Sequence, residues 1–275
     1  MMQKKKKKQL AKRLKKFALK KKAFTIALST CSLAGMAQQD TLLNSIGISY
    51  EQTHFSKQFA DDWRITSIEY GRKTTAAAFI GKLNYAQRFG QEGVQFEAQA
   101  YPKISRRVYA YIGASYSNNK PVFANYTTGA TLYVGINNGW EIEGGYRQLN
   151  FDESIWVGTG GVSKYVRNWL FNLHSFISID APADNQSYFF TAKRFFSDPK
   201  EMIWVQAGNG VSPDERRNVQ LTTANLTSRR LNAGAKFFIW KNMLAQLTAG
   251  YSRDEYKEKT YGNQWNGSAG LSVQF

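Results

Sequence analysis

The stretch Trp265–Phe275, "WNGSAGLSVQF", repeats with a period of two to its last residue. In extended backbone successive side chains point to opposite sides. Trp265, Gly267, Ala269, Leu271, Val273 and Phe275 therefore share one face, and Asn266, Ser268, Gly270, Ser272 and Gln274 share the other. Strands of water-soluble domains run about 5–6 residues, whereas a tilted membrane-spanning strand needs about 9–11. Chain ends usually fray. Regular alternation up to an aromatic residue implies a pairing partner for this strand, which in a closed barrel is the first one.

The same alternation recurs upstream. In "GVQFEAQAY" Val94, Phe96, Ala98 and Ala100 oppose Gln95, Glu97, Gln99 and Tyr101. In "GWEIEGGYR" Trp140, Ile142, Gly144 and Tyr146 oppose Glu141, Glu143 and Arg147. In "NWLFNLHSFISI" Trp169, Phe171, Leu173, Ile177 and Ile179 share a face with Ser175, and the other face mixes Asn172, His174 and Ser178 with Leu170 and Phe176. Candidate strands fall at 43–55, 63–73, 77–89, 94–102, 107–117, 126–136, 140–151, 154–160, 169–179, 187–197, 202–208, 229–240, 243–253 and 261–275. Tight links such as "NNG" at 137–139 and "KN" at 241–242 alternate with longer ones such as "SKQFADD" at 56–62 and the stretch 209–228. That asymmetry between two ends is the signature of a transmembrane barrel. All five prolines fall at strand ends or in links, where no ladder donor is lost. The expected fold is all-β: a transmembrane antiparallel up-and-down β-barrel. The ranges 154–160 and 202–208 are the weakest, which favours about 12 strands, with 10 and 14 as the other even numbers.

The formal charge of +17 suggests nucleic acid until the charge is located. Residues 1–22 hold 12 Lys or Arg and no acid, and the remaining 25 basic and 20 acidic residues leave a net of only +5. The basic head, the short apolar run Ala23–Ala34 and the small residues Gly35 and Ala37 read as a secretory signal peptide cut near Ala37. The expected organisation is a signal at 1–37 and an outer-membrane barrel at 38–275, with no nucleic-acid partner. Cys31 is the sole cysteine and lies in the signal; lipidation there is a lesser alternative, because Thr30 fits a lipoprotein box poorly.

No catalytic constellation stands out. His174 and Ser175 are adjacent, but successive strand residues point to opposite faces. Asp61-Asp62 lies in a link, "GTGG" at 158–161 lacks the Lys of a phosphate loop, and no cluster has metal-ligand spacing. The expectation is a protein that is not an enzyme and holds no cofactor or metal. More informative are the charges on strand faces opposite the apolar ones: Lys82, Arg88, Glu97, Glu141, Glu143, Arg147, Lys193 and Lys236. In a barrel these line the lumen. They either zip its interior shut by pairing across strands or border an aqueous path that selects by charge. Leu83, Leu173 and Leu247 should face hydrocarbon, with Lys82 and Asn172 on the inner face. Tyr85, Tyr101, Tyr109, Tyr111, Trp140, Trp169, Trp240 and Trp265 are expected in interfacial girdles or in packing. Arg216, Arg217, Arg229 and Arg230, read as loop residues, are candidates for lipopolysaccharide head groups.

Five segments carry a resemblance to a known family: "WRITSIEYGRKT" (63–74), "GKLNYAQRFGQEGVQFEAQAYPKIS" (81–105), "YAYIGASYSNN" (109–119), "GWEIEGGYRQLNF" (139–151) and "GNGVSPD" (208–214). Together they resemble the YaiO-type outer-membrane β-barrel proteins over most of residues 43–275, and the second segment is the most specific. The resemblance implies an outer-membrane barrel whose molecular task is poorly defined. Such a barrel meets outer-membrane lipid and lipopolysaccharide and is inserted by the barrel-assembly machinery, for which Phe275 is the expected signal. Two functions are compatible with it: a passage or export barrel for a surface glycan or small solute, and a closed structural barrel that binds an envelope partner or glycan by its loops.

Overall fold

A computed structural model describes residues 43–179, 186–210, 227–257 and 259–275. The signal expected at 1–37, its cleavage point and Cys31 lie outside them. The described chain is a closed barrel of 14 antiparallel strands, each paired with its sequence neighbours, with the last also paired to the first. The strands are β1 (Leu43–Phe55), β2 (Trp63–Lys73), β3 (Ala77–Arg88), β4 (Gln91–Pro102), β5 (Val108–Tyr116), β6 (Tyr126–Gly135), β7 (Trp140–Asn150), β8 (Ser154–Val166), β9 (Trp169–Ser178), β10 (Gln186–Phe195), β11 (Met202–Gly210), β12 (Ser228–Trp240), β13 (Met243–Lys257) and β14 (Thr260–Gln274). The expected number of about 12 is corrected to 14. Both weak candidates are full strands, β8 reaching Val166 and β11 reaching Gly210. Closure satisfies every strand edge, which hydrocarbon requires because it offers no hydrogen bonds. At the seam, β14 runs beside β1 from Gln264 opposite Phe55 to Gln274 opposite Ser45. The Phe275 N–H then donates to Asn44 O (2.9 Å), and the Asn44 N–H donates to Phe275 O (2.8 Å).

Register fixes the two faces. Ile48, Ile68, Leu83, Leu132, Leu173, Val205, Leu247 and Leu271 point outward and are exposed, as a lipid-facing band must be. Exposed aromatics flank that band. Trp140, Trp169, Trp240 and Phe275 lie towards the end that carries both described chain termini, and Tyr85, Tyr116, Tyr126, Trp156 and Trp265 lie towards the other. Lys164 Nζ sits 4.5 Å from the centre of the Trp140 ring, and the Arg194 guanidinium lies 5.7 Å from Trp169. These cations cap the girdle at head-group level. Tyr101, Tyr109 and Tyr111 point inward instead. Tyr109 stacks on Tyr133 at 4.5 Å, and Tyr101 leans on Tyr111 at 5.3 Å.

Links at the terminus-bearing end are short, as between β12 and β13 at Lys241-Asn242. At the opposite end they are mostly longer, such as 56–62 and 117–125. An exception is the two-residue β3–β4 turn. Phe89 and Gly90 both have positive φ there (57° and 69°), the backbone a tight hairpin turn demands. Its sequence carries glycine at only one of those places, and the Phe89 ring is held by Phe59 and Trp63.

Candidate functional site: the lumen

The lumen wall is not uniform. On β13, β14 and β1 the inward residues are mostly small and polar: Thr248, Gly250, Ser268, Gly270, Ser272, Ser45 and Gly47. Two inward residues of this wall are exposed to solvent, Ser49 at the centre of β1 and Gln246 on β13. Small side chains leave room against the wall, and the exposure of these two shows where the room is.

The wall from β3 to β10 is mostly filled, although Arg147 of β7 faces inward and is exposed. Asn84 Nδ2 donates to Gln95 Oε1 (3.0 Å), Gln95 Nε2 to Ser115 Oγ (3.2 Å), and Ser115 and Thr127 hydroxyls meet at 2.7 Å. On β7–β9, Glu143 Oε1 accepts from His174 Nδ1 (2.6 Å) and Asn172 Nδ2 (3.2 Å), and Asn172 also donates to Ser163 Oγ (3.0 Å). Further along, Gln206 Nε2 donates to Thr191 Oγ1 (3.0 Å) and Asn232 Nδ2 to Gln206 Oε1 (3.2 Å). Towards the long-loop end, Phe55, Phe59, Trp63 and Phe89 form a ring cluster, and Val122 and Phe123 of the β5–β6 loop pack on Ile65 and Ala86. A loop thus folds inward and occupies part of that mouth.

Each charge named from the sequence faces this interior. Arg88 is buried, donates from Nη1 to Val122 O (3.1 Å) and lies over the rings of Trp63 and Phe123. Lys82 stands in register between Glu69 on β2 and Glu97 on β4, and forms an ion pair with Glu69 (3.3 Å). Glu97 accepts from the Gln99 amide, and Glu141 accepts from Tyr109 Oη (3.2 Å). Arg147 lies over Phe176 (5.5 Å). Lys193 stands beside Trp204, and Lys236 beside Met202. The acids lie on β4 and β7, whereas the inward-facing residues described on β9–β12 include Lys193, Arg230 and Lys236 and no carboxylate.

The sequence reading missed Glu51, Glu69 and Trp204, all inward by register. Plain two-residue alternation would have found the first two. Arg229 and Arg230 are strand residues of β12, not loop residues: Arg230 faces inward and donates from Nε to Ser228 Oγ (3.0 Å), and Arg229 faces outward. Arg216 and Arg217 lie outside the described residues. His174 and Ser175 do point apart, since Ser175 Oγ donates to Gly160 O (3.1 Å). Asp62 binds Gln52 Nε2 (2.7 Å) and His54 Nδ1 (2.8 Å), and these contacts hold its carboxyl below the ordinary aspartate range. Among the described residues no group of three or more His, Cys, Asp or Glu could hold a metal ion.

Comparison with solved structures finds the same architecture. The outer membrane protein Omp33 of Acinetobacter baumannii matches at TM-score 0.51 and 9% identity, over 85% of this chain and 99% of that one. A bacterial polysaccharide outer membrane secretin matches at 0.49 and 9%, over 86% and 99%, and the KdgM porin at 0.45 and 11%, over 83% and 99%. At these identities the likeness is one of fold. A comparison with curated proteins finds no match. A family model, the YaiO membrane beta barrel domain, matches residues 43–215, which run from the first strand past the end of β11. With the closed 14-stranded barrel and its lipid-facing band, that match places the chain in the YaiO membrane β-barrel family.

Proposed function

We propose that this barrel is an outer-membrane passage for a small polar solute or a glycan, and that the path runs along the inner wall of β13, β14 and β1. The observation that carries the reading is the exposure of Ser49 and Gln246, both inward-facing, on a wall whose central inward residues are mostly Gly, Ser and Thr. A structural barrel with no path has no use for such a wall, because filled interiors are stabilised by large side chains packed to high density. In the orientation usual for outer-membrane barrels, short turns and termini face the periplasm and long loops face outside. The Val122–Phe123 loop then sits in the outer mouth and narrows it.

Planar-bilayer recording of the purified barrel tests the reading. Discrete, ohmic conductance is expected. Ser49→Arg, which places a long side chain in the proposed path, should reduce it by at least half. Absence of conductance in wild-type protein of verified heat-modifiable mobility overturns the proposal in favour of a closed, loop-binding barrel.

A further inference from the structure

Trp204 carries the strongest unassigned feature of the lumen. A Cβ atom built on Gly234 would lie 2.5 Å from Trp204 Cε2 and 2.6 Å from both Cζ2 and Nε1. Three ring atoms at nearly one distance mean that the indole lies flat on the β12 backbone, where only glycine allows it. A ring flat against the wall turns its other face towards the barrel axis, and the side chain is only partly buried. Lys193 is its register partner on β10, and Lys236 is the next inward residue of β12 after Gly234. The bonded amides Gln206 and Asn232 border the ring on the side away from the termini.

The surroundings are mostly cationic. Just outside, towards the terminus-bearing mouth, are Lys73 at the end of β2, Lys103 in the β4–β5 link and Lys200 in the β10–β11 link. Lys103 and Lys200 are near enough to Lys73 to act on its charge. Across the links at this end stand six cations (Lys103, Arg106, Arg107, Arg167, Lys200, Lys241) against two acids (Asp198, Glu201). A mouth with an excess of one sign and low-dielectric walls concentrates ions of the other sign.

An aromatic face, two ammonium groups and amide donors in one place match one chemistry. A pyranose ring presents a C–H face that stacks on an indole, hydroxyls that bond amides, and, in an acidic sugar, a carboxylate for the lysines. A simple anion would use the lysines and have no need of the indole; a neutral sugar would have no use for the lysines. We propose that Trp204, Lys193 and Lys236 form a subsite for an acidic saccharide, of the uronic acid type, fed from the terminus-bearing mouth by its lysine collar. This deepens the passage reading by naming a substrate class and rests on it for its biological sense, though the binding can be measured independently.

The test uses the detergent-purified full chain, titrated calorimetrically with a mannuronic acid tetrasaccharide, with the neutral tetrasaccharide cellotetraose and with inorganic phosphate. The acidic tetrasaccharide should bind at least tenfold more tightly than either control. Trp204→Ala should weaken it at least tenfold. Lys193→Gln with Lys236→Gln should do the same and remove most of the salt dependence, while Lys193→Arg with Lys236→Arg should retain binding. Each variant is checked first for heat-modifiable mobility. Gly234→Ala, which must displace the indole, is a second route to the same loss that leaves every lysine in place. Equal affinity for acidic and neutral tetrasaccharides, affinity for phosphate matching that for the acidic tetrasaccharide, or indifference to Trp204→Ala overturns the proposal. Conductance of the same samples separates the two ideas. A barrel that conducts but does not bind the acidic tetrasaccharide defeats the subsite and keeps the passage. One that binds but does not conduct defeats the passage and keeps the subsite.

Discussion

Glu143 and His174 stand two strands apart, on β7 and β9, and meet at 2.6 Å across Gly161 of β8. A Cβ at that position would overlap Glu143 Oε1 and approach Leu173 O to 2.8 Å. The glycine is a gap through which a carboxylate passes to the far neighbour. Gly161→Ala should therefore break the pair and leave His174 and Asn172 without their shared acceptor. A buried polar group left unmatched costs about 1–3 kcal/mol. Urea titration of the barrel in lipid vesicles should show a loss of that size. Glu143→Gln, which keeps an acceptor in place, should lose less. Equal stability of Gly161→Ala and wild type would show that the carboxylate can reach by another route.

This contact also marks where sequence reading stops. The fourteen ranges with two-residue alternation coincide closely with the fourteen strands, because hydrocarbon on one side and water on the other impose the period directly. The expected number fell short because β8 runs through "GTGG", Gly158–Gly161, where glycines supply no apolar signal. Gly161 is there for its neighbours: it clears the way for Glu143. Which charge meets which partner depends on register across several hairpins, and alternation within one strand does not encode it. Lys82 has an acid in register on each side, Glu69 on β2 and Glu97 on β4, and its ion pair with Glu69 follows from that placement. The same lack of cross-strand information hid Trp204, whose meaning comes from Gly234 on the next strand.

At the long-loop end, Asp62 should titrate below the ordinary aspartate range, since Gln52 donates a hydrogen bond to it and His54 lies at 2.8 Å. A folded-state pKa below the unfolded one means that ionised Asp62 tethers its loop at all pH values above the unfolded pKa. The tether is then lost as pH falls through the lowered value. Carbon-13 NMR of the Asp62 carboxyl should give this depressed midpoint, and Gln52→Leu should raise it. A midpoint that ignores Gln52→Leu would show that the hydrogen bond is not its main cause.

At the seam, the backbone of Phe275 exchanges two hydrogen bonds with Asn44, while its ring is 63% exposed on the lipid face. The bonds do not need the ring. Phe275→Ala should thus leave the heat-modifiable mobility of refolded protein nearly unchanged. If the ring is what the assembly machinery reads, the amount of barrel in the outer membrane should fall at native expression. Normal insertion of the variant would reduce the ring to an ordinary girdle residue.

Gln246 and Leu247 are consecutive residues of β13 with opposite environments. Leu247 is 50% exposed in the lipid band, opposite Ala235 and Ala269, and Gln246 is exposed towards the lumen beside Lys236 and Gly270. Arginine at Leu247 must place its charge in hydrocarbon, at about 2–4 kcal/mol near the midplane. Arginine at Gln246 keeps its charge in water and should cost far less. Asn172, which the alternation also assigns to the inner face, is a poor site for this comparison: it is 3% exposed and bonded to Glu143 and Ser163, so a larger side chain there would break a buried network. Gln246→Arg carries a second consequence. It adds a cation beside Lys236 of the neighbouring strand β12, so the reversal potential in a salt gradient should move towards greater anion preference, whereas Leu247→Arg should leave selectivity alone. Urea titrations in vesicles and bilayer recordings of the two variants read these effects separately. If both substitutions destabilise alike and neither alters selectivity, the register of β13 is shifted by one residue, and with it the inner wall assigned to the path.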